Sequence, residues 1–128
     1  MSETRDVIHH LKKEELKMPI DEITKKRIDR IFGVYTETKI PNNFRNQIRL
    51  SYSVRGNNIT LLEERLAFRS EQWIQHEIAQ FRLDGMLWKV YWKDSKNKWH
   101  FVDEIIPNED VEKQLEIVDK DNQDIFWC

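Results

Sequence analysis

Apolar residues recur along this chain with two periods, and the change between them falls at Pro41. Before it, Ile28, Ile31, Phe32 and Tyr35 stand at i, i+3, i+4 and i+7, one face of a helix. Asp21 is placed to cap that helix, Pro41 stops it after Ile40, and Lys25, Lys26, Arg27, Asp29 and Arg30 take its polar face. After it the period is two. Ile48, Leu50, Tyr52 and Val54 alternate with Arg49, Ser51, Ser53 and Arg55, as in a half-buried strand. Gly56-Asn57-Asn58 makes a hairpin turn, because Gly and Asn accept the positive φ such turns need. The next strand runs from Ile59 to Leu66. A register that faces Val54 and Tyr52 with Ile59 and Leu61 carries Glu63 and Arg65 along the same face, to the edge of the core.

The segment Arg69 to Gln75 reads as irregular or as a short helical turn around Trp73, and a three-strand meander follows. His76 to Leu83 and Met86 to Lys93 flank Asp84-Gly85, a strong hairpin signal. That turn sets Phe81 opposite Trp88 and Ala79 opposite Val90. Asp94-Ser95-Lys96-Asn97 is read as a four-residue loop that sets Trp92 opposite Trp99, Val90 opposite Phe101 and Tyr91 opposite His100. One apolar face then collects Phe81, Trp88, Trp92, Trp99 and Phe101, and the other collects Arg82, Lys89, Tyr91, Lys93, Lys98 and His100.

At the ends, residues 1–18 read as a charged helical arm with Val7, Ile8 and Leu11 as a narrow apolar stripe, broken by Pro19. Asn108 is the expected N-cap of a last helix, with Glu109, Asp110 and Glu112 in its first turn and Val111, Leu115 and Val118 as its stripe. The terminal Phe126-Trp127 is expected to plug the core, with a hook for a partner as the alternative. The expected fold is α+β: about five antiparallel strands in a meander, with N-terminal helices and one C-terminal helix, residues 19–128 forming a single domain.

Composition adds limits. The chain has 128 residues, the length of one ordinary domain. Apolar residues make up 39%, so its aromatics, each burying roughly 150–250 Å², must supply much of the core. Net charge is -2, but from Asp103 onward 9 acidic residues face 2 basic ones, leaving 19 basic and 14 acidic before it. The acidic segment is expected to fold onto the basic body. Cys128 is the single cysteine, so no internal disulfide forms. The first residues are polar, and no stretch approaches the roughly 20 apolar residues of a membrane span. A cytoplasmic protein with no membrane partner is expected.

Ile40-Pro41 with Arg45 and Gln47-Ile48-Arg49-Leu50, then Arg55-Gly56 and Thr60 to Arg65, form one ordered set of motifs. Ala79 to Arg82, Trp88 to Trp92, Lys98 to Phe101 and the closing Asp119, Asp121 and Ile125-Phe126-Trp127 continue it. In their order and spacing these pieces resemble the bacterial domain-of-unknown-function family 3024, from about residue 23 to the end. Where similar sequences usually carry Asp-Pro near the C-terminus, this chain has Asp121-Asn122. The resemblance implies a small bacterial cytoplasmic protein with the α+β fold above. It implies no activity and brings no catalytic residues.

Three constellations carry candidate chemistry. Glu63, Glu64 and Arg65, joined by Arg82, would form an acid pair with arginine clamps for a carboxylate or phosphate, or a structural ion-pair network. Arg82, Lys89, Tyr91 and His100 set basic groups beside aromatic rings, which a platform for single-stranded nucleic acid requires; the alternative is an ordinary solvent face or one covered by a helix. For metals, the His9-His10 tandem diverges on a helix, His76 and His100 lack partners at ligand spacing, and Asp119, Asp121 and Asp124 lack the glycine and glutamate of a calcium loop. With Cys128 at the terminus, three glycines in all, and no acid-x-Lys pair on a predicted strand, no catalytic residues, metal or cofactor are expected. The reading is a non-catalytic binding or protein-interaction module. A nucleic-acid-binding module on the basic-aromatic face is the first alternative, and a small enzyme built on the Glu/Arg cluster the second. The partner is then a protein or a single-stranded nucleic acid, and the oligomeric state is open.

Overall fold

Helix α1 runs from Glu22 to Thr38, and the Asp21 carboxylate starts it by accepting the Thr24 N–H at 2.7 Å. The computed structural model describes residues 20–127, so the arm expected over residues 1–18 lies outside the described residues. Ile28, Ile31 and Phe32 are buried on one face of α1, as their spacing requires. A single 3₁₀ turn, Asn42–Phe44, follows Pro41. Among the described residues α1 is the one N-terminal α-helix.

The sheet contains β1 (Ile48–Arg55), β2 (Asn58–Leu66), β3 (Trp73–Asp84), β4 (Leu87–Lys93) and β5 (Trp99–Phe101) in sequential order, every pair antiparallel. Val54 faces Ile59 and Tyr52 faces Leu61 across β1 and β2. Trp73, expected in an irregular stretch, opens β3 opposite Leu66. A tight reversal allows this: Glu71 adopts φ 55°, and the Ala67 N–H donates to Gln72 O at 2.8 Å.

Two hairpins depart from the expected registers. Gly85, at φ 64°, and Met86 form the turn between β3 and β4, so Asp84 faces Leu87 and Phe81 faces Val90, not Trp88. This two-residue shift keeps the faces intact. The next shift is by one residue and does not. Asn97 takes φ 66°, the Asn97 N–H donates to Asp94 O at 3.0 Å, and the Asp94 N–H donates to Lys98 O at 2.9 Å. The loop is thus three residues, Ser95 to Asn97, a turn closed by a left-handed residue. Lys93 faces Trp99, Trp92 faces His100 and Tyr91 faces Phe101. Trp99 and Phe101 therefore leave the core face, and His100 joins it.

A β-bulge adds a second change of phase. Leu61 pairs with Ala79 but Leu62 pairs with Glu77, leaving Ile78 as the extra residue; Ile78 and Ala79 are both buried. Beyond the bulge, Trp73, Gln75 and Glu77 point to the side opposite Ala79 and Phe81.

Helix α2 (Val111–Lys120) is capped by Asp110, whose side chain accepts the Glu112 N–H at 3.0 Å. Asn108, the expected cap, instead bridges to Trp88 through both backbone groups, and its side chain accepts the Asp110 N–H at 2.8 Å. Both helices pack on one face of the sheet, α1 over β1 and α2 over β3 and β4. Between them lies the core, with Phe32, Ile59, Leu61, Phe81, Val90 and Val118 fully buried. The buried Gln114 ties α2 down by donating to Trp88 O at 2.8 Å and Ile106 O at 3.0 Å.

The tail closes this layer. Asp121 ends α2 at φ 43°, and its carboxylate accepts three backbone N–H groups, from Ile125 at 2.7 Å, Phe126 at 3.0 Å and Trp127 at 2.9 Å. Phe126 is buried in the core, and the Trp127 indole donates to Val118 O at 2.9 Å. No helix among the described residues is long and apolar enough to cross a membrane.

Candidate binding face

Among the described residues neither helix packs on the second face of the sheet, and the two changes of phase decide what it carries. Arg49 from β1, Trp73 and Arg82 from β3, Lys89, Tyr91 and Lys93 from β4, and Trp99 and Phe101 from β5 all point to it. Each of its four rings has a cation beside it. The Arg49 guanidinium carbon lies 3.8 Å from the Trp73 ring centroid, and that of Arg82 lies 3.9 Å from Tyr91. The Lys93 ammonium lies 5.5 Å from Trp99, and that of Lys89 lies 5.9 Å from Phe101. All fall within the roughly 6 Å over which a ring quadrupole attracts a cation. Tyr91 and Phe101 touch, with centroids 5.6 Å apart and planes tilted by 53°.

Carboxylates hold several of these cations. Arg49 Nε donates to Glu64 at 2.6 Å, Lys93 to Glu77 at 3.0 Å and Lys89 to Asp84 at 2.7 Å. The Arg49 hydrogen bond keeps the Glu64 carboxyl below the ordinary carboxylate range, and the hydrogen bond to Asp84 raises Lys89 above the ordinary lysine value. Arg82 instead donates Nε to the neutral amide of Gln80 at 2.7 Å, and Gln80 donates onward to Thr60 at 3.0 Å. With Arg55, five cations stand on this face against Glu64, Glu77 and Asp84, a small positive excess on a chain of net charge -2.

Of the residues singled out from the sequence, Arg82, Lys89 and Tyr91 come together here. His100 does not. It stacks on Trp92 on the helix side, with centroids 4.9 Å apart, and its Nε2 lies 2.6 Å from Asp94. Glu63 and Arg65 pair with each other, also on the helix side of the sheet, so the Glu63, Arg65 and Arg82 cluster is split between two faces. By periodicity alone, Trp73, Trp99 and Phe101 read as loop or core residues. The signal that reassigns the latter two is Asn97, whose side chain tolerates the left-handed conformation that shortens the loop. Among the described residues no group of three or more His, Cys, Asp or Glu side chains could hold a metal. Asp119 is bonded to Tyr35 at 2.8 Å and Lys39 at 2.6 Å, and Asp121 to the tail amides.

Residues 20–128 match the model of the family described as Domain of unknown function (DUF3024). The chain belongs to that family. The DUF3024 match spans every element from α1 to the tail, so the helix-free face is built wholly within the family domain. Neither the comparison with curated proteins nor that with solved structures found a match.

Proposed function

We propose that this DUF3024 chain is a non-catalytic binding module, and that the helix-free face of its sheet is a platform for single-stranded nucleic acid. One observation carries the reading: four aromatic rings, each with a basic side chain within 6 Å of its centroid, on the face neither helix covers. Single strands need both halves of that pattern. Rings offer stacking surfaces that any base can use, and cations neutralise the phosphates between the bases. The non-catalytic half of the reading draws on the separation of Glu63 and Arg65 from Arg82, which divides the expected Glu63, Arg65 and Arg82 cluster between two faces of the sheet.

Fluorescence anisotropy of an end-labelled single-stranded oligonucleotide tests this. Wild-type protein binds at low salt and weakens steeply as salt rises. Arg82→Ala binds less tightly with a shallower salt slope, by about 0.7 for one phosphate no longer neutralised. Absence of salt-sensitive binding removes the reading.

A further inference from the structure

The four rings are of two kinds. Trp73 and Tyr91 each carry an arginine less than 4 Å from the centroid, so one side of each is already covered. Trp99 and Phe101 instead have a lysine ammonium at 5.5 and 5.9 Å, too far to cover a ring face, and Phe101 also meets the tilted ring of Tyr91 at 5.6 Å. Phe101 is 38% exposed, high for a phenylalanine on a strand.

These two rings lie two residues apart on β5, so they share a face at a separation of about 6.6 Å along the strand. Each has its own lysine on β4. Lys93 is directly opposite Trp99, and Lys89 is one inward step beyond Tyr91, which faces Phe101. The result is a repeat of ring and ammonium, laid side by side.

The backbone points the same way. The Val102 N–H donates to Val90 O at 2.9 Å and the Asp94 N–H to Lys98 O at 2.9 Å. The hydrogen-bonded pairs between β4 and β5 are thus the alternate ones, including Trp92 with His100, and the N–H and C=O groups of Trp99 and Phe101 turn to the open edge. There they can meet the polar rim of a base lying on the ring. Beyond Phe101 the edge is acidic: Asp103 and Glu104 are exposed and line a cleft with it. Phosphates are repelled from that side and drawn to the lysine side, which orients a strand with bases outward over β5 and phosphates over β4.

We infer that Trp99 and Phe101 are the two stacking stations of the platform, taking successive bases of one strand whose phosphates pass over Lys93 and Lys89. The inference rests on the single-strand reading above. Glu77 and Asp84 compete with phosphate for the two ammoniums, so removing the charge of Glu77 strengthens binding.

The test is a titration of full-length protein with end-labelled oligothymidylate and oligouridylate. Trp99→Leu and Phe101→Leu, which keep apolar bulk, each weaken binding about 5- to 150-fold with an unchanged salt slope, while Trp99→Phe and Phe101→Tyr retain it. Lys93→Ala and Lys89→Ala each lower the slope by about 0.7. Glu77→Gln binds more tightly than wild type, and Trp73→Leu, whose ring is already covered by Arg49, weakens binding less than either β5 leucine variant. Thermal unfolding of each variant confirms that it is folded, and the salt slopes of Lys93→Ala and Lys89→Ala carry the test if a leucine variant is not, unchanged slopes overturning the strand path over β4. If neither homopolymer binds the wild type, the platform reading itself fails. If they bind but Trp73→Leu weakens them while Trp99→Leu and Phe101→Leu do not, the platform stands and the two stations are overturned.

Discussion

Tyr91 and Phe101 stand opposite each other on β4 and β5, with ring centroids 5.6 Å apart, on the side of the sheet away from both helices. This pairing places an aromatic surface where an apolar core was expected to end. It depends on the loop from Ser95 to Asn97. Shift the register by one residue and Phe101 turns inward, leaving His100 beside Tyr91.

The loop is therefore the first place to substitute. Asn97 holds φ 66° and closes the turn by donating to Asp94 O. A β-branched residue tolerates that conformation poorly, at a cost of roughly 1–3 kcal/mol. Asn97→Val is expected to lower the urea unfolding midpoint by a corresponding amount, while Asn97→Gly leaves it near wild type or raises it. Equal effects of the two would mean that the left-handed conformation does not set this register.

Asp121 holds the tail. Its carboxylate accepts three successive amides and positions Phe126 in the core. Asp121→Ala leaves those amides without their acceptor and is expected to cost about 2–4 kcal/mol, charge-assisted bonds to backbone being among the stronger ones. Phe126→Ala, through reduced burial and the cavity left behind, is expected to cost about 3–5 kcal/mol. Because both act on one unit, the double variant costs less than the sum of the singles. Chemical denaturation of the four proteins measures this directly, and strict additivity would contradict the link.

Two tyrosines tie the helices to their neighbours. Tyr52 donates to Asp29 at 2.8 Å, joining β1 to α1, and Tyr35 donates to Asp119 at 2.8 Å, joining α1 to α2. Burial, helped by the Asp29 carboxylate, pushes the Tyr52 hydroxyl up to about 12, and burial with Asp119 raises Tyr35 further. Both pKa values are raised above the unfolded value near 10. Their contribution to stability is thus fully present below pH ~10 and is lost as pH rises from there through the folded values. Unfolding midpoints measured across that range should fall for wild type and fall less steeply for the Tyr35→Phe/Tyr52→Phe variant. Parallel slopes would rule the linkage out.

Much of this fold is legible in the sequence because its signals are local. Asp21 and the Ile28, Ile31, Phe32 stripe specify α1, and alternation specifies β1 and β2 along with the register that sets Val54 against Ile59. Legibility stops where one residue's backbone decides a face. Asn97 at positive φ and the bulge at Ile78 each reverse the alternation that follows, and nothing in apolar periodicity announces either. The candidate face is half legible for that reason. Arg82, Lys89 and Tyr91 lie on strands whose phase is set by long runs of alternation, whereas Trp73, Trp99 and Phe101 lie beyond the two reversals. Asn108 yields the cap of α2 to Asp110 because its backbone is engaged by Trp88, a tertiary pairing that propensity does not register.

Backbone NMR of the isotope-labelled protein, titrated at low salt with a short single-stranded oligonucleotide, tests the helix-free face as the binding surface. Amide shifts are expected to move along β3, β4 and β5, largest at Tyr91, Trp99 and Phe101, while Ile28 and Phe32 on α1 and Leu115 and Val118 on α2 stay still. Shifts concentrated on the two helices, or none at all, would refute a nucleic-acid platform on this sheet.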